Sequence, residues 1–179
     1  AQAARYNVPL YVSSPGDSSI GLNVAEVKFS GRGPIIDPDL ATLETCAIVQ
    51  SATKNGVVVV GGGSPKNFYL QTQPMLWQIL DLDTPGHDYY VGITTDAPHW
   101  GGMSGATPQE AMSWGKIVPG QKNHVVVYSD ATIALPILLA YGFATRKPRP
   151  RKELFGKLDG LGESLRKAVA SASEKKGKR

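Results

Sequence analysis

Short apolar runs alternate along the chain with longer stretches of helical spacing, and turn residues separate the two. That rhythm predicts an α/β protein with a largely parallel sheet. Val8 to Ser13 predicts a first strand, which enters the polar loop Ser14 to Ser19. Val57 to Val60 is a continuous β-branched run, the pattern of a strand covered on both faces, and it leads directly into Gly61, Gly62 and Gly63. Tyr89 to Thr94 and Val125 to Tyr128 predict the third and fourth strands, which lead to Asp96 and Asp130.

Between these runs, Leu40, Leu43, Ala47 and Ile48 recur at helical spacing. They predict a helix over Asp39 to Thr53, with Asp37 or Asp39 near its start. Ser64 to Leu80 is also expected to be helical, with Pro65 suited to a first turn and Pro74 a kink or break. Thr107, Pro108 and Glu110 have the spacing of a capping box, so a helix should start there and run towards Trp114. Ala131 to Phe143 is almost wholly apolar, which predicts a helix that is buried or lies at an oligomer interface. Lys147 to Pro150 ends it, and Glu153 to Ala170 predicts a weak amphipathic helix interrupted by glycines.

Charge divides the chain in two. From Arg146 to Arg179 there are twelve Lys or Arg against four Asp or Glu, a local +8, whereas the formal net charge of all 179 residues is only +4. Residues 1–145 form the expected catalytic part, and 146–179 a basic, weakly helical tail read as a solvated extension. The tail has no interleaved aromatics, so nucleic acid is not an expected partner. The sequence has neither a long apolar run nor an apolar leader at its start, which predicts a cytoplasmic protein with no membrane association. The single cysteine, Cys46, reads as core. His87, His99 and His124 lack ligand spacing, so no metal is expected.

The chemistry gathers at the predicted strand ends, where an open parallel sheet binds ligands. Three glycines between a strand and a helix let a dinucleotide approach the backbone closely, although they also fit a plain tight turn. Loop aspartates such as Asp17 and Asp130 fit caps as well as ligand contacts. More specific is the segment Gly101 to Ile117, in which Ser104, Gly105 and Ala106 are followed by Pro108, Glu110, Ala111 and then Ser113, Trp114, Gly115 and Lys116.

That segment is similar to the active-site signature of deoxyhypusine synthases. The Asp17 loop, the glycine run with Lys66, and Val127 to Ala131 follow in the order of that family. The resemblance implies a doubly wound, largely parallel Rossmann-like sheet with helices on both faces. It also implies NAD-dependent transfer of an aminobutyl group from a polyamine such as spermidine, through an imine on Lys116. Desolvation beside Trp114 would favour the neutral amine that this needs. By position in the motifs, Glu110, Trp114, Gly101, Gly102 and Met103 would bind substrate. Asp17, Gly61, Gly62, Gly63, Thr95, Asp96, Asp130 and Ala131 would bind NAD.

Leu22, Asn67 and Met103 depart from the family pattern, standing where spermidine-using members have aspartate, histidine and aspartate respectively. These departures resemble a divergent deoxyhypusine-synthase-like branch. They keep open a homospermidine-synthase-like transfer to a free amine, or a non-catalytic subunit supporting an active paralogue. Because the family's chains are roughly twice this length, the resemblance implies a complementary N-terminal chain or full-length paralogue in a homo- or hetero-tetramer. It further implies a hypusine-acceptor translation factor as a possible acceptor.

Overall fold

The computed structural model describes residues 1–120 and 122–177. The last two residues of the predicted tail, Lys178 and Arg179, therefore lie outside the described residues. In chain order the elements are α1 (Gln2–Arg5), α2 (Ser19–Phe29), α3 (Pro38–Ser51), β1 (Gly56–Val60), α4 (Ser64–Leu70), α5 (Thr72–Pro74) with a π-helical turn over Met75–Ile79, β2 (Tyr89–Thr94), α6 (Pro108–Ser113), β3 (His124–Tyr128), α7 (Ala131–Thr145) and α8 (Leu158–Gly177).

The three strands form one parallel sheet in the order β1-β2-β3, with Val57 opposite Tyr90 and Tyr90 opposite His124. Helices surround it, as expected of an α/β chain. The strand predicted at Val8 to Ser13 does not form. Pro9 has no N–H to give a ladder, and the segment is held instead by side chains: the Ser14 hydroxyl lies 2.6 Å from that of Ser64, and Ser64 donates to Ser13 at 3.0 Å. Helix α2, in which Leu22 lies, was not anticipated. Ser18 caps it by accepting the Gly21 N–H at 3.0 Å.

Register decides which strand residues share a face. Val59 joins Tyr90, Leu70 of α4, and Ala111 and Ile117 in one buried cluster, with Val57 and Val126 packed against it. The opposite face is covered only in part: Ile93 of β2 is buried there, whereas Val58 is 55 % exposed, Val60 49 % and Val125 49 %. The expectation that β1 is covered on both faces thus fails within this chain. No residue of α7 is buried, and Ile133, Ile137, Tyr141 and Phe143 all face outward, so of the two alternatives for this helix the chain itself does not provide burial.

A second core forms where Cys46, Ala47 and Val49 of α3 meet Leu76 of the π-helical turn and Leu165 of α8. Pro74 does not break the helical path. The turn after it widens to the π form, and Leu76 becomes completely buried. The tail departs from its expectation more clearly. Helix α8 runs without interruption through Gly160 and Gly162, and Leu161, Leu165 and Val169 dock as an i, i+4 stripe on the α3 core. Packing outweighs the helix cost of about 1 kcal/mol per glycine. The tail is thus not merely a solvated extension.

Candidate active site

The end of α6 positions Lys116. The Thr107 side chain accepts the Glu110 N–H at 3.3 Å, which starts the helix where the capping pattern predicts. Gly115 ends it at φ +65, a left-handed conformation that suits glycine. Its N–H reaches Met112 O at 3.0 Å while the Lys116 N–H reaches Ala111 O at 3.0 Å, the paired bonds of a Schellman motif. Lys116 and Val118 are then tied to the segment before β2: His87 N–H donates to Lys116 O at 3.0 Å, and Val118 N–H donates to His87 O at 3.1 Å.

The Lys116 side chain enters a recess lined also by Lys66, Asn67, Tyr90, Met103, Glu110 and Trp114. Its ammonium donates to Asn67 Oδ1 at 3.0 Å and lies 6.0 Å from the centroid of the Trp114 ring. Burial holds the Lys116 amine below the usual lysine range, and the Glu110 carboxylate partly opposes that shift. Glu110 is the one carboxylate among the described lining residues. Met103 therefore joins Glu110 and Trp114 in this recess, while Gly101 and Gly102 are not among its lining residues.

Lys66 is a second lysine in the recess, but its amine is committed. It is buried and donates to the carbonyls of Met103 and Ala106, the latter at 3.1 Å. Burial, the first cause, lowers its pKa and the Lys116 charge adds to this, while Glu110 and Asp96 raise it. Lys66 thus staples the Ser-Gly-Ala turn to α4, leaving Lys116 as the amine with a single protein acceptor among the described residues.

The turn over residues 103–106 is a shared wall. Met103 and Ala106 line the recess, while Ser104 lines a separate crevice at the carboxyl ends of the strands. That crevice gathers Gly61, Thr95, Asp96, Asp130 and Ala131 of the predicted cofactor set. Gly62 and Gly63 continue the same turn, and a Cβ at Gly62 would come within 2.8 Å of Ser104 Cα. Asp17 is not among the crevice residues, although the Ser13–Ser14 segment just before its turn is bonded to Ser64 at the start of α4. Asp130 Oδ1 caps α7, accepting from the Thr132 N–H at 2.8 Å and the Thr132 hydroxyl at 2.7 Å, so the capping alternative describes its geometry. A dinucleotide suits this crevice: open space lies where Gly61 would carry a Cβ, and hydroxyls and carboxylates ring the opening.

Lys66, Asn67 and Tyr90 also line the recess, and none stood in the expected site set. For Lys66 and Asn67 the available signal was the family motif, which joins Lys66 to the glycine run and has histidine where Asn67 stands. His87 gave none, because its contribution depends on tertiary packing. Its ring is fully buried, stacked 4.4 Å from the Tyr69 ring, and its Nδ1–H donates to Asn55 Oδ1. Burial pushes its pKa from 6.5 to about 4. Because the folded value lies below the unfolded one, the unfolded chain takes up the proton first as pH falls. The resulting stability is complete above about pH 6.5 and is lost progressively towards pH 4, roughly 3 kcal/mol in all. Urea unfolding across this range should show that slope, and His87→Phe should flatten it.

Comparison with known proteins places this geometry. The family model for deoxyhypusine synthase matches residues 1–142. The chain is 48% identical over 177 residues to a deoxyhypusine synthase-like protein of Nostoc punctiforme, covering 96% of this chain and 45% of that one. It is 47% identical over 180 residues to a protein of the same description from Thermosynechococcus vestitus, covering 96% of this chain and 45% of that one. It is also 48% identical over 136 residues to a probable deoxyhypusine synthase 2 of Methanosarcina acetivorans, covering 76% of this chain and 39% of that one. The chain spans less than half the length of these curated relatives.

Proposed function

Because the chain belongs to the deoxyhypusine synthase family, we propose that it carries the nucleophilic half of an NAD-dependent aminobutyl transferase acting on a polyamine such as spermidine. One observation carries this reading: the Lys116 amine shares a recess with Glu110 and Trp114, one turn away from the glycine-lined crevice. Bound NAD supplies the hydride acceptor, and later the donor, that amine oxidation and final reduction require. Gly61, Thr95, Asp96, Asp130 and Ala131 would hold it.

The chain's own residues do the rest. Glu110 pairs with a substrate ammonium in the partly desolvated recess, where the attraction is stronger than in water. Neutral Lys116 attacks the imine carbon of the oxidised donor. A new carbon–nitrogen bond forms, and the diamine leaves with its electron pair and a proton. A second amine then attacks the imine on Lys116, bonds to the same carbon and releases the lysine. The lowered pKa of Lys116 supports this role, because only the unprotonated amine has a lone pair for attack.

The exposed β1 and β3 residues of the partly covered sheet face and the outward side of α7 support assembly with further sequence of the same fold, on a complementary N-terminal chain or a full-length paralogue. That association would complete a doubly wound sheet and a homo- or hetero-tetramer. No helix among the described residues is long and apolar enough to cross a membrane, and the proposed site of action is the cytoplasm.

The acceptor is either a lysine of a hypusine-acceptor translation factor or a free diamine, as in homospermidine synthesis. Mass spectrometry of the chain assembled with its complement, supplied with spermidine, NAD and either acceptor, should detect diamine release and an aminobutyl-extended acceptor. Absence of both with every polyamine tried would leave the alternative of a non-catalytic subunit, to which Leu22 and Met103 point.

A further inference from the structure

We propose that Asn67 is a positioning residue for the nucleophile: its side-chain carbonyl holds one Nζ hydrogen of Lys116 and so fixes where the amine points. The inference rests on the reading of Lys116 as nucleophile and goes beyond it, because the family comparison marks Asn67 only as a departure from histidine and gives it no contact with the lysine. An ammonium only donates, so the 3.0 Å contact runs from Lys116 Nζ to Asn67 Oδ1. With one N–H engaged there, the neutral amine keeps its lone pair and second hydrogen for the recess.

The acceptor is itself held firmly. Asn67 N–H donates to Gly63 O at 3.1 Å, and the neighbouring Lys66 pins the same helical turn to Met103 O and Ala106 O. The path is therefore continuous from the glycine turn, through the first turn of α4, to the reacting nitrogen. Asn67 also accepts without a formal charge. A carboxylate at this place would stabilise the ammonium and work against deprotonation, whereas an amide aims the amine at small electrostatic cost. The other titratable groups around it are Glu110 from α6, Lys66 from α4 and Tyr90 from β2, with Asp96 acting through Lys66. Among these, Glu110 is the one the Lys116 charge feels most, and it lies on a different element from Asn67.

The test reads the amine directly. The full chain, alone or with its complement, is treated with propanal and cyanoborohydride over a range of pH, and alkylation of the Lys116 peptide is quantified by mass spectrometry. Asn67→Asp should move the midpoint of labelling to higher pH, leaving roughly tenfold less neutral amine at a given pH below it. Asn67→Leu, nearly the same size, should move it the opposite way, because an acceptor for the charged form has been removed. It should also lower the plateau rate of transfer about tenfold by releasing the amine from its aim. A packing defect would not shift the two variants in opposite directions. Midpoints that coincide with wild type in both variants would overturn the proposal. Opposite shifts without turnover of any polyamine, even in wild type, would uphold Asn67 and count against the transferase reading instead.

Discussion

Replacing Lys116 with alanine is expected to lower aminobutyl transfer by roughly 10⁴-fold or more while leaving dinucleotide affinity within about twofold. The reason is structural: the amine enters the recess through Asn67, whereas the crevice is built from Gly61, Thr95, Asp96, Asp130 and Ala131 on other segments. Lys116→Arg should fail as completely, because a guanidinium with pKa above about 12 has no free amine at working pH. Cofactor titration separates loss of chemistry from loss of fold, since a misfolded chain would lose both together. Full activity in either variant would move the chemistry away from Lys116.

The next largest effect is expected at Gly62, by a different route. Its φ of +145 is a conformation that side chains rarely adopt, and a Cβ there would lie 2.8 Å from Ser104 Cα, a backbone atom that cannot rotate away. Gly62→Val must therefore push the glycine turn from the Ser-Gly-Ala turn, at a strain on the order of 1–3 kcal/mol. Because the 103–106 turn walls both sites, dinucleotide affinity should fall at least about tenfold, and the KM for the amine should rise with it. Gly31→Val is the control. Its φ of +74 also costs strain, but nothing lies within 4 Å of the new Cβ and Gly31 lines neither the recess nor the crevice, so its effect should be several-fold smaller. Equal effects at the two positions would show that the contact with Ser104 is not what matters.

The sequence made those features legible that depend on local chemistry. The β-branched run at Val57 to Val60 and the capping box at Thr107 each act within a few residues, and each produced the expected strand or helix start. Features that depend on distant partners were harder to read. Val8 to Ser13 has strand-like composition, but Pro9 and the hydroxyl contacts to Ser64 keep it out of the sheet. The glycines of the tail suggested a broken helix, and only the α3 surface makes Leu161, Leu165 and Val169 a docking stripe. The alternating exposure of β1 depends on what covers the sheet, which composition cannot express. In the site, motif order brought out Lys116, Glu110 and Trp114. The hydrogen bond of Asn67 and the backbone pairing of His87 with Lys116 and Val118 join residues far apart in sequence.

The central claim is a covalent imine on Lys116, and borohydride trapping tests it most directly. Reductant added during turnover with NAD and a polyamine donor should convert the imine to a stable secondary amine, adding an aminobutyl mass to the peptide that contains Lys116. No such mass should appear without NAD or in Lys116→Ala. An adduct mapped to Lys66, or sustained transfer with no trapped adduct on any lysine, would contradict the account.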